Sequence, residues 1–167
     1  MTAGLEYRHV DVFSDVPFAG NGLIVAFGGT RTVRAEALVL LTAELRQFEL
    51  IVVDAAPQTG RVSARIFTAQ EELPLAGHPV IGAAAALHER HAAEPARSWV
   101  FVIAGREIAV RSEQTERYYK AEMNRVLPPW ARRFRVPMPL VSRERWTSAA
   151  AICTRCRCES CPPACPT

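Results

Sequence analysis

The sequence has no cysteine before residue 153, and it has a single lysine against 19 arginines. No stretch approaches the roughly 18 uninterrupted apolar residues of a membrane-spanning helix. The first residues lack a basic segment followed by an apolar one, so no secretory signal is expected. These absences predict a cytoplasmic protein that does not act in a membrane.

The 167 residues are 49% hydrophobic and 22% charged, which argues against a disordered chain and allows one domain with a sizeable core. The charge is divided along the chain. Residues 1–124 carry 12 basic and 15 acidic side chains, whereas residues 125–167 carry 8 arginines and 2 glutamates. The net charge of +3 therefore describes neither part, and it does not indicate nucleic-acid binding.

Apolar spacing in residues 1–124 predicts seven strands and two helices in the order β-β-α-β-β-α-β-β-β. This order predicts an α+β fold of mainly antiparallel strands rather than a doubly wound fold. A tight turn at Gly105–Arg106 is expected between two strands. The predicted strands are 5–13, 23–27, 50–53, 61–67, 99–104, 107–111 and 118–123, and the predicted helices are 35–47 and 79–91.

Gly77 and His78 directly precede the second predicted helix, which is expected to open at Pro79. Unpaired N–H groups at a helix N-terminus can hold a carboxylate or phosphate, and a glycine lets the ligand approach the backbone. His78 adds a hydrogen-bond donor or a proton carrier. The alternative interpretation is a simple turn at Gly77 with an exposed capping histidine.

Glu49 lies between the first predicted helix and an apolar strand, where partial burial would raise its pKa toward values useful for acid–base chemistry. The alternative is a solvated loop carboxylate. Asn21 could donate a hydrogen bond to a substrate, or it could simply be a turn residue after Gly20.

Three segments carry a resemblance: Asp11–Val25, Gln47–Leu50 and Arg65–Pro79. Together they resemble the PhzF family of isomerases, whose segments read D-V-F-T-D-x-P-F-A-G-N-P-L-A-V, Q-F-E-[ST] and R-I-F-T-x-x-x-E-L-P-F-A-G-H-P. The chain departs from these patterns at Gly22, Leu50 and Leu75. The resemblance extends to about residue 124.

The resemblance implies one lobe of the diaminopimelate epimerase-like fold and a proton-transfer isomerase acting on a small molecule. It implies that Glu49 is the catalytic acid/base, that His78 lies near the proton path, and that Asn21, Gly77 and His78 bind the substrate. It implies neither a metal nor an organic cofactor. A two-thiol racemase of the same fold is disfavoured, because no cysteine lies near Gly77.

Residues 125–167 are expected to be an irregular, disordered or out-of-frame tail. A frameshift near codon 124 would explain the enrichment in arginine, proline and cysteine, and it would leave the enzyme truncated and impaired. The rival hypothesis is a zinc or iron–sulfur site formed by the five cysteines between Cys153 and Cys165. A third hypothesis is a non-catalytic fragment that self-associates as a homodimer.

Overall fold

A computed structural model describes residues 5–54, 60–91, 94–124 and 136–139. The described residues form two helices and nine strands. The helices are α1 (Ala35–Glu44) and α2 (Gly77–Arg90). The strands are β1 (Glu6–Val12), β2 (Asn21–Phe27), β3 (Glu49–Val53), β4 (Arg61–Phe67), β5 (Glu72–Leu73), β6 (Ala96–Ile103), β7 (Arg106–Gln114), β8 (Tyr118–Asn124) and β9 (Val136–Pro139).

All nine strands belong to one mixed sheet in the order β1-β2-β3-β4-β6-β7-β8-β9, with β5 paired to β4. The pairs β2–β3 and β4–β6 are parallel, and the other pairs among the described residues are antiparallel. β1 and β9, the two ends of this order, contact each other. The sheet therefore curls round on itself, and the fold is a curled mixed sheet with two helices.

The sheet curls around α2, whose residues 79–88 are all buried. A helix that is apolar all round is typical of a fully enclosed position. Small side chains let the strands approach it closely. A Cβ atom at Gly82 would lie 2.4 Å from Cδ2 of Leu23 and 3.1 Å from Cγ2 of Val12. Glycine at this position thus sets the distance between α2 and strands β1 and β2.

Helix α1 lies on the opposite face of the sheet, where it covers a second apolar cluster around Leu38 and Leu50. It ends at Glu44, three residues earlier than the spacing predicts. Phe48 therefore lies outside the helix, and its side chain is 80% exposed.

Two other expectations need correction. The turn between β6 and β7 is Ala104–Gly105 rather than Gly105–Arg106, and both residues have positive φ, as a two-residue hairpin turn requires. Helix α2 begins at Gly77 rather than Pro79. Pro79 is still acceptable, because the first-turn N–H groups lack intrahelical partners.

Strand β9 lies within the segment that was expected to be irregular, and it pairs with β8. Its prolines, Pro137 and Pro139, alternate, so both missing N–H groups can face away from the partner strand. The domain boundary at residue 124 and the out-of-frame tail stay predictions. The cysteine cluster between Cys153 and Cys165 lies outside the described residues.

Candidate functional site

Three elements start at one end of the sheet, and each contributes one polar side chain there. Asn21 is the first residue of β2, Glu49 is the first residue of β3, and His78 is the second residue of α2. Side chains alternate along a strand, so Asn21 and Glu49 share the α2-facing side with the core residues of their strands. The register Leu23↔Glu49 of the parallel pair β2–β3 brings these two strand starts side by side.

Glu49 and His78 form the closest contact of this group. Oε2 of Glu49 lies 2.6 Å from Nδ1 of His78, and the two side chains are 15% and 12% exposed, respectively. The contact has the distance of an ion pair but not the angle of a hydrogen bond, so the buried Oε2 atom has no well-directed hydrogen-bond donor. An acidic and a basic group thus face each other across a short gap that is largely closed to solvent.

Burial moves the protonation equilibria of both groups. Desolvation raises the pKa of the Glu49 carboxyl above its ordinary value of 4.5. Desolvation also lowers the pKa of the His78 imidazole below its ordinary value of 6.5. The two pKa values therefore move toward each other, because burial disfavours both charged forms. Proton affinities that are brought closer together at two facing atoms are suited to general acid–base chemistry.

Asn21 lies on the far side of the imidazole. Its Nδ2 atom is 3.5 Å from Nε2 of His78, at the long limit of a hydrogen bond. If the amide donates to Nε2, the proton of a neutral imidazole lies on Nδ1 and faces Glu49. Asn21 thereby orients the ring that contacts the carboxyl group.

Gly77 is the first residue of α2, and the preceding Ala76 gives the helix no side-chain cap. The backbone N–H groups of this first turn have no intrahelical acceptors, and the turn carries His78, whose side chain contacts Glu49. A Cβ atom at Gly77 would be 3.7 Å from Cε of Met123, which is an ordinary contact. The fold itself would therefore accept alanine at this position, and packing does not explain the glycine.

Phe13 belongs to the first family segment, Asp11–Val25, but the sequence does not predict it as a site residue. It follows β1 directly, its ring centroid lies 6.1 Å from that of His78, and it is 51% exposed. The signal available in the sequence was a large apolar residue at the start of a segment rich in turn formers. In the structure, Phe13 directly follows the Val12↔Asn21 strand pair.

Two further residues of the third segment have structural roles. Arg65 donates from Nε and Nη2 to the two carboxylate oxygens of Glu72, at 2.9 and 2.7 Å. Nη1 of Arg65 also donates to the carbonyl oxygens of Thr30 and Val33. This bidentate pair joins β4 to β5, the strand that leads directly to α2 and His78.

Among the described residues, no three His, Cys, Asp or Glu side chains cluster so that they could hold a metal ion. Neither of the two described helices is long and apolar enough to cross a membrane.

The raised pKa of Glu49 predicts how the stability of the fold depends on pH. A carboxyl group with a raised pKa binds more protons in the folded state, so it lowers the stability as the pH rises from 4.5 toward the folded-state pKa. We expect the E49Q variant to melt at a higher temperature than the wild type at pH 7, and the difference to vanish below pH 4. Thermal melts across this pH range measure it. A pH-independent difference would contradict the burial effect.

The model of the PhzC-PhzF family, described as phenazine biosynthesis-like protein, matches residues 10–142. An uncharacterized isomerase of Pasteurella multocida is 36% identical over 91 residues, which are 54% of this chain and 31% of that protein. The trans-2,3-dihydro-3-hydroxyanthranilate isomerase of Pseudomonas aeruginosa is 35% identical over 82 residues, which are 49% of this chain and 29% of the enzyme.

Two solved structures are also similar to most of the chain. A predicted epimerase from Pseudomonas aeruginosa superposes with a TM-score of 0.66 at 39% identity, over 72% of this chain and 42% of that one. A PhzF-family phenazine biosynthesis protein of Bacillus anthracis has the same fold, with a TM-score of 0.59 at 21% identity, over 71% of this chain and 40% of that one. The chain spans less than a third of the two curated relatives and about two fifths of these two structures.

Proposed function

Because the chain belongs to the PhzC-PhzF family of phenazine biosynthesis-like proteins, we propose that it is an isomerase that moves a proton within a small carboxylate-bearing substrate. Its relatives include proteins named as isomerases and an epimerase, which supports this reaction class at family level. The observation that carries the proposal is the 2.6 Å contact between the carboxyl group of Glu49 and the imidazole of His78.

In the proposed reaction, the Glu49 carboxylate takes a proton from a carbon of the substrate. A C–H bond breaks, an O–H bond forms, and the electron pair moves into an adjacent unsaturated system of the substrate. The protonated carboxyl group then returns a proton to a different carbon, so the composition is unchanged. The raised pKa of Glu49 supports this role, because a stronger base near neutral pH accepts a carbon-bound proton more readily.

His78 is proposed to hold the substrate and to lie beside the proton path. Its imidazole faces the carboxyl group through Nδ1, and its backbone belongs to the first turn of α2. Gly77 belongs to the same turn, where N–H groups and the helix dipole favour an anionic group. Asn21 is proposed to complete this binding region from the start of β2.

The wild-type chain tests the proposal directly. Incubation in heavy water with trans-2,3-dihydro-3-hydroxyanthranilate, the compound in the name of one relative, is expected to yield an isomer with carbon-bound deuterium. NMR spectroscopy and mass spectrometry of the recovered compound measure both changes. If a folded chain at equimolar concentration gives neither isomer nor deuterium, this substrate is wrong, and other unsaturated carboxylates are tested in the same way.

A second copy of the chain is the macromolecular partner that we propose. Phe18 is 96% exposed and Phe48 is 80% exposed, and burial of these two rings between two copies would remove their apolar surface from water. Sedimentation equilibrium tests this homodimer, and a monomer at all concentrations would contradict it.

A non-catalytic role is the proposal that competes with the isomerase, and the heavy-water exchange experiment separates these two proposals. The cytoplasm remains the proposed location.

A further inference from the structure

The loop between β1 and β2, residues 13–20, holds two phenylalanines in an unusual backbone conformation. Phe13 has φ 73° and Phe18 has φ 65°, in the left-handed region that bulky residues rarely adopt. Hydrogen bonds hold the loop: the Asp11 carboxylate accepts from the backbone N–H of Phe18, and the Ser14 hydroxyl bonds the backbone of Val16. Both aromatic rings are thus kept outside the hydrophobic core.

The two phenylalanines differ in what they face. The ring of Phe13 is tilted by 45° to the imidazole of His78, and half of its surface remains exposed. Phe18 is almost fully exposed, and among the described residues its ring has no aromatic contact with His78. Phe13 also follows the Val12↔Asn21 pair, the last pair of the β1–β2 ladder. Phe13 therefore borders the Glu49–His78 pair on the His78 side, with half of its own surface exposed.

We propose that Phe13 is a substrate-contacting residue whose exposed ring forms an apolar wall for the carbon skeleton of the substrate. Ligand sites typically combine such walls with a few polar groups that fix orientation. Here the polar groups are the first turn of α2 and the Glu49–His78 pair, and the wall is the ring next to them. This placement of the substrate rests on the proposed function.

The apolar wall formed by the Phe13 ring is expected to favour one class of substrate among the small carboxylates. An aromatic face gains free energy by burying apolar area and by offset or edge contact with another flat ring. A carboxylate on a planar, unsaturated ring offers such a surface, whereas a short-chain carboxylate does not. Phe13 is therefore inferred to select cyclic, unsaturated carboxylates over short linear ones.

Two probes and a matched pair of variants test this inference. Benzoate and acetate carry the same charged group, and only benzoate carries a ring. NMR titration of the full chain is expected to show benzoate binding more tightly than acetate. The F13A variant should weaken benzoate binding by about fivefold and leave acetate binding unchanged. The F18A variant, which removes an equivalent ring from the same loop, should change neither.

The pKa of His78 gives a second test of the position of the Phe13 ring, and this test needs no ligand. Removing the Phe13 ring exposes the imidazole, so the pKa of His78 in F13A should rise toward 6.5, whereas F18A should leave it unchanged. The F13L variant keeps apolar bulk and replaces F13A if that variant does not fold. F13L should lose part of the preference for benzoate over acetate.

Three results would overturn the inference. They are equal binding of benzoate and acetate by the wild type, equal losses in F13A and F18A, and a change confined to the oligomeric state of F13A. The last result would assign Phe13 to a protein contact. None of these measurements requires turnover, so failure of the proposed isomerisation is detected separately, by the heavy-water experiment on the wild type.

Discussion

The E49Q variant is expected to lose proton exchange into the substrate by about 10²–10⁴-fold, the contribution of a positioned general base. Glutamine has nearly the same shape as glutamate but no group that takes up a proton at neutral pH. The loss should appear in the turnover rate more than in substrate binding, because the proton is transferred only in the transition state. Deuterium incorporation measured by NMR spectroscopy at saturating substrate separates these two quantities.

Glu71 offers the matched control, because it is an exposed carboxylate in the loop before β5 and is not part of the Glu49–His78 pair. The E71Q variant makes the same chemical change and should keep the wild-type rate. A shortened side chain in E49D should retain partial activity, since a displacement of about 1 Å in a catalytic group costs up to roughly 10²-fold. Equal rates in the wild type and E49Q would remove Glu49 from the mechanism.

The S112A variant is expected to destabilise the fold by about 2–4 kcal/mol, because it breaks a buried network of hydrogen bonds. The Ser112 hydroxyl lies 2.8 Å from Nδ1 of His88 and accepts a 2.8 Å hydrogen bond from Nε1 of Trp99. All three side chains are nearly inaccessible to solvent. Alanine leaves the indole N–H and the imidazole nitrogen without partners in a region that water does not reach.

The network also assigns the donor and acceptor nitrogens of the His88 ring. Its Nε2 atom lies 2.8 Å from the carbonyl oxygen of Glu94, so Nε2 donates. Nδ1 then accepts the hydroxyl proton of Ser112 in the neutral imidazole. The Ser112 hydroxyl connects Trp99 to His88, which is why a single substitution affects the whole group.

Ser98 is the matched control for this prediction, because it lies on the neighbouring strand β6 and is exposed. The S98A variant should change stability by no more than about 0.5 kcal/mol. Urea denaturation followed by circular dichroism measures both variants. A loss in S112A as small as that in S98A would mean that Trp99 and His88 find other partners.

The sequence predicts the larger elements well because each carries its own periodic signal. The alternation of Val62, Ala64 and Ile66 gives β4, and these three residues face α2 in the structure. Helix α1 ends early because Arg46 has a positive φ of 52°, a left-handed conformation that ends a helix, and apolar spacing alone does not report that. Strands β5 and β9 were missed because one has two residues and the other contains two prolines.

The sequence by itself determined the family, the α+β character and the identity of Asn21, Glu49, Gly77 and His78 as candidate site residues. Local spacing and motifs contain this information, since each segment is read along the chain. Only the tertiary structure decided that Glu49 and His78 face each other at 2.6 Å and that Phe13 lies beside them. The reason is physical: the burial that shifts both pKa values comes from packing between segments distant in sequence, so no single segment encodes it.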